Sequence, residues 1–270
     1  MSRCFAFGCS FTKWFYPTWA DHIGLNFPEY HNYGNGALSN NTIAMRFIEA
    51  DAIHKFNSDD LVIVGLSGIG RCNFFVNTKD NVTHLWGAGD LQSDALDDYI
   101  DTVPKWKEFK HIIKFMRDQY WERKWGIYYT WLAVKTMKRI LTSNNVKHII
   151  IAGLDLSFYR DKELLNLSNQ EVDMIEEVYS LLDCTESLQE YDEKNFTRPY
   201  KDNHPFIESH LHFVKDKFPN LLTNKNFELL EKMKLEVKDI TDQDTAYDHL
   251  MNYRPNLDYS LMRKLYGVYI

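Results

Sequence analysis

A doubly wound α/β fold, helices covering both faces of a mostly parallel sheet in three layers, is predicted for this chain by two observations. Three short runs are continuously apolar rather than alternating, as strands covered on both faces must be. They are RCFAF at 3–7, DLVIVGL at 60–66 and VKHIIIAGL at 146–154. Between them lie segments with apolar residues at helical spacing, SNNTIAMRFIEADAIHKF at 39–56 and YYTWLAVKTMKRILTSNN at 128–145. The first opens on Ser and Asn, the residue types that cap helices. Strand, helix, strand is the βαβ grammar of such a sheet.

The stretch from about 77 to 127 is too long for a simple connection and reads as a helical, aromatic-rich insertion over one end of the sheet. Five of the seven tryptophans fall between Trp86 and Trp131. They either pack the insertion's own core or form a stacking surface for a sugar or acyl chain. From residue 220 the chain turns charged and helical, as in NFELLEKMKLEVKDI, so the expected division is an α/β unit over 1–219 and a helical C-terminal extension over 220–270. The Tyr-rich tail reads as a segment wrapping its own domain, with a partner or a second copy of the chain as the alternative occupant.

The chain has 270 residues, 44% of them hydrophobic, enough to bury a large core. A net charge of -7 supplies no basic field for phosphates, which argues against nucleic acid and anionic membranes as partners. The cysteines at 4, 9, 72 and 184 form no C-x-x-C pair, so neither a zinc knuckle nor a disulfide framework is expected. With no signal-peptide pattern and no run of about 18 apolar residues, the expectation is a soluble, cytoplasmic protein with reduced thiols.

Three segments carry candidate chemistry. CFAFGCSFT, 4–12, runs an apolar strand into Gly-Cys-Ser and offers Ser10 as a nucleophile. Such a serine needs a base and a group that orients the base. RPYKDNHPF, 198–206, supplies His204 and Asp202. NYGNGALSNNTI, 32–43, is a glycine-containing loop entering a helix, and backbone N–H groups there suit an oxyanion. Gly36, Ala37 and Asn40 have the right types for that task.

In this order the segments resemble the SGNH (GDSL-like) hydrolases, in the form closest to bacteriophage-encoded members. FAFGCSFT is similar to that family's first block, NYGNGALSN to its second and KDNHP to its last. The resemblance implies a flavodoxin-like sheet and a serine esterase without cofactor. Ser10 would attack the ester, His204 would move the proton and Asp202 would orient His204. The N–H groups of Ser10 and of Gly36 or Ala37, with the Asn40 amide, would hold the oxyanion. Two departures stand out. The third block usually carries Asn and Asp where VGLSGIGR has Gly70 and Arg71, which leaves Asn40 first and Asn73 second as the side-chain donor. The last block has Asp202-x-His204 rather than Asp-x-x-His.

Ser67 and Arg71 are the substrate-binding candidates on the loop after the second strand. A small or carbohydrate ester, O-acetyl groups included, is the expected substrate. A binding or structural module of a phage particle, its tail docked on a virion partner, is the alternative. No metal is expected: His210 and His212 point to different faces of a helix, so they and His204 form no ligand set. Cys9 reads as a buried thiol.

Overall fold

The structure is a computed structural model and describes residues 2–77, 83–86, 110–120, 123–156, 166–200 and 204–255. In chain order the elements are β1 (Arg3–Gly8), α1 (Trp19–Gly24), β2 (Glu29–Asn32), α2 (Asn40–His54), β3 (Asp60–Leu66), β4 (Phe74–Asn77) and β5 (Thr83–Trp86). There follow α3 (Lys110–Phe115), α4 (Arg123–Ser143), β6 (Lys147–Ala152), α5 (Asn169–Ser180), α6 (Leu188–Asn195), α7 (Ile207–Lys217), α8 (Asn224–Val237) and α9 (Gln243–Met251).

The central sheet is all parallel, in the order β2-β1-β3-β6. The three apolar runs are β1, β3 and β6, joined through Phe7↔Val64 and Val64↔Ile150. Side-chain alternation then sorts the core into two faces. Phe5, Phe7, Val62 and Val64 pack against α2, α4 and α5. Cys4, Ala6, Leu61 and Ile63 pack against α1, α6 and α7. Each large apolar side chain so buried contributes about 1.5–3 kcal/mol, and burial on both faces explains why these strands show no polar alternation. The fold is therefore the expected three-layer α/β/α arrangement.

Two elements depart from expectation. β2, with the sequence EYHN, is an edge strand of partly exposed residues and carries no apolar run to announce it. The insertion opens on an antiparallel hairpin, β4 with β5, before its helices begin. FFVN and THLW are rich in aromatic and β-branched residues, which favour extended backbone. Residues 87–109 and 121–122, with Trp106 and Trp121, lie outside the described residues. Further on, Trp131 donates its indole N–H to Glu177 and lies under Lys135, which also pairs with Glu177 at 2.8 Å. That tryptophan ties α4 to α5.

The C-terminal helices pack on the α/β unit. Leu230 and Met233 of α8 and Ala246, Tyr247 and Leu250 of α9 share one apolar cluster with Tyr16, Ile207 and Leu211. Residues 256–270 of the tail lie outside the described set. Among the described residues no helix is long and apolar enough to cross a membrane.

Helices α1 and α7 enclose two histidines, His22 and His210. Burial pushes His22 down to about 3, and burial together with the charges of His22 and His204 pushes His210 well below the usual imidazole range. Both are neutral in the folded protein, whereas the unfolded chain takes up their protons near pH 6.5. Their contribution is complete above that pH and is lost as pH falls, for His22 by about 1.4 kcal/mol per pH unit. Urea unfolding at pH 7 and pH 5 is expected to show a loss of about 2 kcal/mol from His22, with His210 acting in the same direction, and His22→Gln is expected to remove the His22 part.

Candidate active site

The site begins where β1 ends. The N–H groups of Thr12 and Lys13 both donate to the Cys9 carbonyl, at 2.9 and 3.2 Å, so residues 9–13 form one tight turn at the carboxyl end of the strand. Ser10 sits in that turn, 3% exposed. Thr12 folds back over the strand ends, which requires glycine twice. A Cβ on Gly8 would stand 2.0 Å from Thr12 Oγ1 and 2.8 Å from the Gly65 carbonyl oxygen, and a Cβ on Gly65 would stand 2.7 Å from the same Oγ1. Ligands of open parallel sheets bind at this end of the strands.

Asn32 links the turn to the loop after β2. Its Nδ2 donates to the Thr12 carbonyl at 2.8 Å and to Asp21 Oδ1 at 3.0 Å, and its Oδ1 accepts from Gly34 N–H at 2.9 Å. The Asp21 carboxylate is fully buried and also accepts from Tyr30 Oη and Thr18 N–H, both at 2.9 Å. Asn35 N–H then donates to the Gly8 carbonyl at 3.1 Å, which seats the loop against the end of β1. Among the described residues, the N–H groups of Gly36, Ala37 and Ser10 meet no acceptor. Ala37 has φ of 58°, in the left-handed region that non-glycine residues enter at a cost. These three donors are the ones expected for an oxyanion.

His204 comes to the same place from the other end of the chain. Its ring stacks on Trp14 with centroids 3.7 Å apart and meets Phe11 edge-on at 5.3 Å. Tyr16 Oη donates to the Pro205 carbonyl at 2.8 Å, and Trp19 N–H donates to His210 Nδ1 at 3.1 Å. The segment after Ser10 is thus bound to the segment around His204. No hydrogen bond joins the Ser10 and His204 side chains, a looseness common in unliganded sites. Asp202 lies outside the described residues.

Three expected roles change. Both hydrogens of the Asn40 amide are committed, to the Ser67 carbonyl at 2.9 Å and to Thr130 Oγ1 at 3.0 Å, while its Oδ1 accepts from Ser67 N–H at 2.7 Å. Asn40 therefore clamps the loop after β3 to α2 and α4, and nothing remains to donate to an oxyanion. Asn73 in turn accepts from Ser39 N–H and donates to the Ala37 carbonyl at 3.0 Å, bracing the glycine loop. Ser67 is fully buried and its hydroxyl is closed to a ligand in this structure. Arg71 Nη1 is buried and meets no acceptor among the described residues. Cys9 is fully buried, and His210 is committed to Trp19.

One residue escaped sequence reading. Lys13 is 8% exposed, and burial, with Arg254 and Arg46 adding to it and Asp21 opposing, pushes its ammonium down to about 7. The Ser10-x-x-Lys13 spacing was the available signal, since one helical turn sets such residues on one side.

Beside His204 opens a cleft of about 580 Å³, lined by Trp14, Phe15 and Tyr247 together with Gln243, Asp244 and Asp248. Four of these lining residues belong to α9 of the C-terminal extension. No protein-family model and no curated protein matches the chain.

Two outcomes follow from the clamps. Asn40→Ala strands the Ser67 backbone groups and is expected to cost about 2–4 kcal/mol in urea unfolding. Gly8→Ala forces Thr12 off the strand ends and is expected to cost about 2–3 kcal/mol by the same measurement.

Proposed function

We propose that the protein is a serine ester hydrolase of the SGNH type. The observation that carries this reading is the docking of the His204 imidazole on Phe11 and Trp14, within the segment that presents Ser10. Ser10 Oγ attacks the ester carbonyl while His204 takes its proton, and the oxyanion receives the N–H groups of Ser10 and of Gly36 or Ala37. His204 then returns the proton to the leaving alcohol, and water releases the acyl group. Asp202 is the proposed orienting acid. No cofactor enters the scheme.

The cleft supports an O-acylated carbohydrate as substrate. Aromatic faces of Trp14 and Phe15 suit the apolar face of a sugar ring, and the carboxylates and amide of α9 suit its hydroxyls. The stacking surface is then built from the β1–α1 segment and the C-terminal extension rather than from the tryptophans of the insertion. Free thiols at Cys4, Cys9, Cys72 and Cys184 support a reducing compartment. The commitment of the Asn40 amide favours the competing reading, an SGNH-fold binding module with little or no turnover.

A fluorophosphonate probe separates the two: covalent labelling of Ser10 is expected, and folded protein that stays unlabelled would sink the esterase reading. Ser10→Ala and His204→Ala are each expected to lower kcat on p-nitrophenyl acetate by at least about 10³-fold, without additivity in the double variant. Activity retained in His204→Ala and lost in Lys13→Met would move the base to Lys13. Phe15→Ala, on an exposed side chain, is expected to reduce kcat/KM on an acetylated glycan about tenfold or more while leaving p-nitrophenyl acetate within about twofold.

A further inference from the structure

At the opposite end of the sheet, around the start of β1, two elements bring together three side chains that the ester chemistry does not use. Glu29 and His31 alternate on β2 and so share one face, and His54 comes from the last turn of α2. One ligand-type atom from each lies within 4.8 Å of the other two. The two imidazoles are held as a unit: His31 stacks on Phe5 at 5.1 Å, His54 tilts against the same ring at 4.9 Å, and the His centroids are 4.7 Å apart.

We propose that Glu29, His31 and His54 form a binding site for a borderline transition-metal dication of the zinc type. Two imidazoles and a carboxylate match the donor preference of zinc, and three protein ligands leave one position for water. The surrounding contacts fit that use. Tyr33 Oη lies 2.7 Å from His54 Nε2 and so fixes the orientation of this ring beside Glu29 and His31, as hydrogen-bond partners of metal-bound histidines do. Arg3, whose charge reaches Glu29 and His54, is held by Asp60 through two bonds of 2.8 and 2.7 Å. Phe5 closes the floor, while Glu29 at 50% and His31 at 26% side-chain exposure leave an entry from solvent.

For a metal to take both His31 Nε2 and Glu29 Oε1, the hydrogen between them must leave Nε2, and a neutral His31 then carries it on Nδ1. Without metal, His31 Nε2 and Glu29 Oε1 stand 2.7 Å apart and share a hydrogen. Tetrahedral zinc, with bonds of about 2.0–2.1 Å, separates its ligand atoms by roughly 3.3 Å, so this pair opens by about half an ångström. A bound ion would join the beginning of β2 to the end of α2 and close the segment between them, which carries Gly36 and Ala37.

The test uses untagged full-length protein freed of metal with a chelator, and reads zinc uptake rather than ester hydrolysis. Calorimetry with zinc chloride is expected to give one equivalent. At zinc about 100-fold above Kd, Tm is expected to rise by about 5 °C or more, and magnesium chloride is expected to leave it unchanged. Cobalt(II) is expected to show the visible bands of a four-coordinate site. His31→Gln and His54→Gln are each expected to weaken zinc binding more than about 100-fold, and Tyr33→Phe about tenfold. Glu29→Gln changes an exposed side chain and serves as the variant sure to fold, with an expected loss of about tenfold or more. His249→Gln, remote on α9 and paired with Glu236, is expected to bind as the parent does. Absence of uptake by the parent, or uptake unchanged in the Glu29 and His31 variants, would overturn the site.

Discussion

The candidate site depends on the close seating of Thr12 against two glycines near the ends of neighbouring strands. Because Gly8 and Gly65 have no Cβ, the Thr12 side chain lies on the ends of β1 and β3 together, and the chain reverses directly after the strand. The reversal presents Ser10 at the carboxyl edge of the sheet. It also turns the Thr12 carbonyl toward Asn32 and Thr18, which pass the constraint to the glycine loop and to α1. A side chain at either glycine would move all three together.

From that point the polar contacts form two chains of support. One runs through Asn32, Gly34 and Asn35 to the N–H groups of Gly36 and Ala37, which meet no acceptor among the described residues, and Asn73 braces it from the loop after β3. The other runs through Trp14 and Tyr16 to His204 and Pro205, so the His204 ring rests on the aromatic surface of Trp14. The C-terminal extension completes the second chain. Tyr247 of α9 stacks on Phe15 at 5.5 Å and lies in the apolar cluster of Tyr16, which makes the extension a wall of the cleft.

How much of this was legible in the sequence differs by element. β1, β3, β6 and α2 were legible because burial on two faces, or on one helical stripe, leaves a continuous local pattern. β2 was not, because an edge strand needs no such run. Ser10, His204 and the glycine loop could be nominated from short motifs whose chemistry is local. The role of Asn40 could not. Its residue type suits an oxyanion donor, yet its hydrogens are taken by Ser67 and Thr130, both distant in sequence. The tryptophan-rich insertion drew attention for composition, but Trp131 is bound to Glu177 and Lys135, and the aromatic wall of the cleft comes from Trp14, Phe15 and Tyr247.

The sequence by itself determined the fold class and the chemical types available at the end of β1, since hydrophobic periodicity and turn chemistry act over a few residues. Only the tertiary structure decided which donors remain free, which side chains are consumed as clamps, and that Glu29, His31 and His54 share one corner. Those outcomes depend on hydrogen-bond partners and ring contacts between segments far apart in the chain, and no local pattern records which partner a polar group will meet.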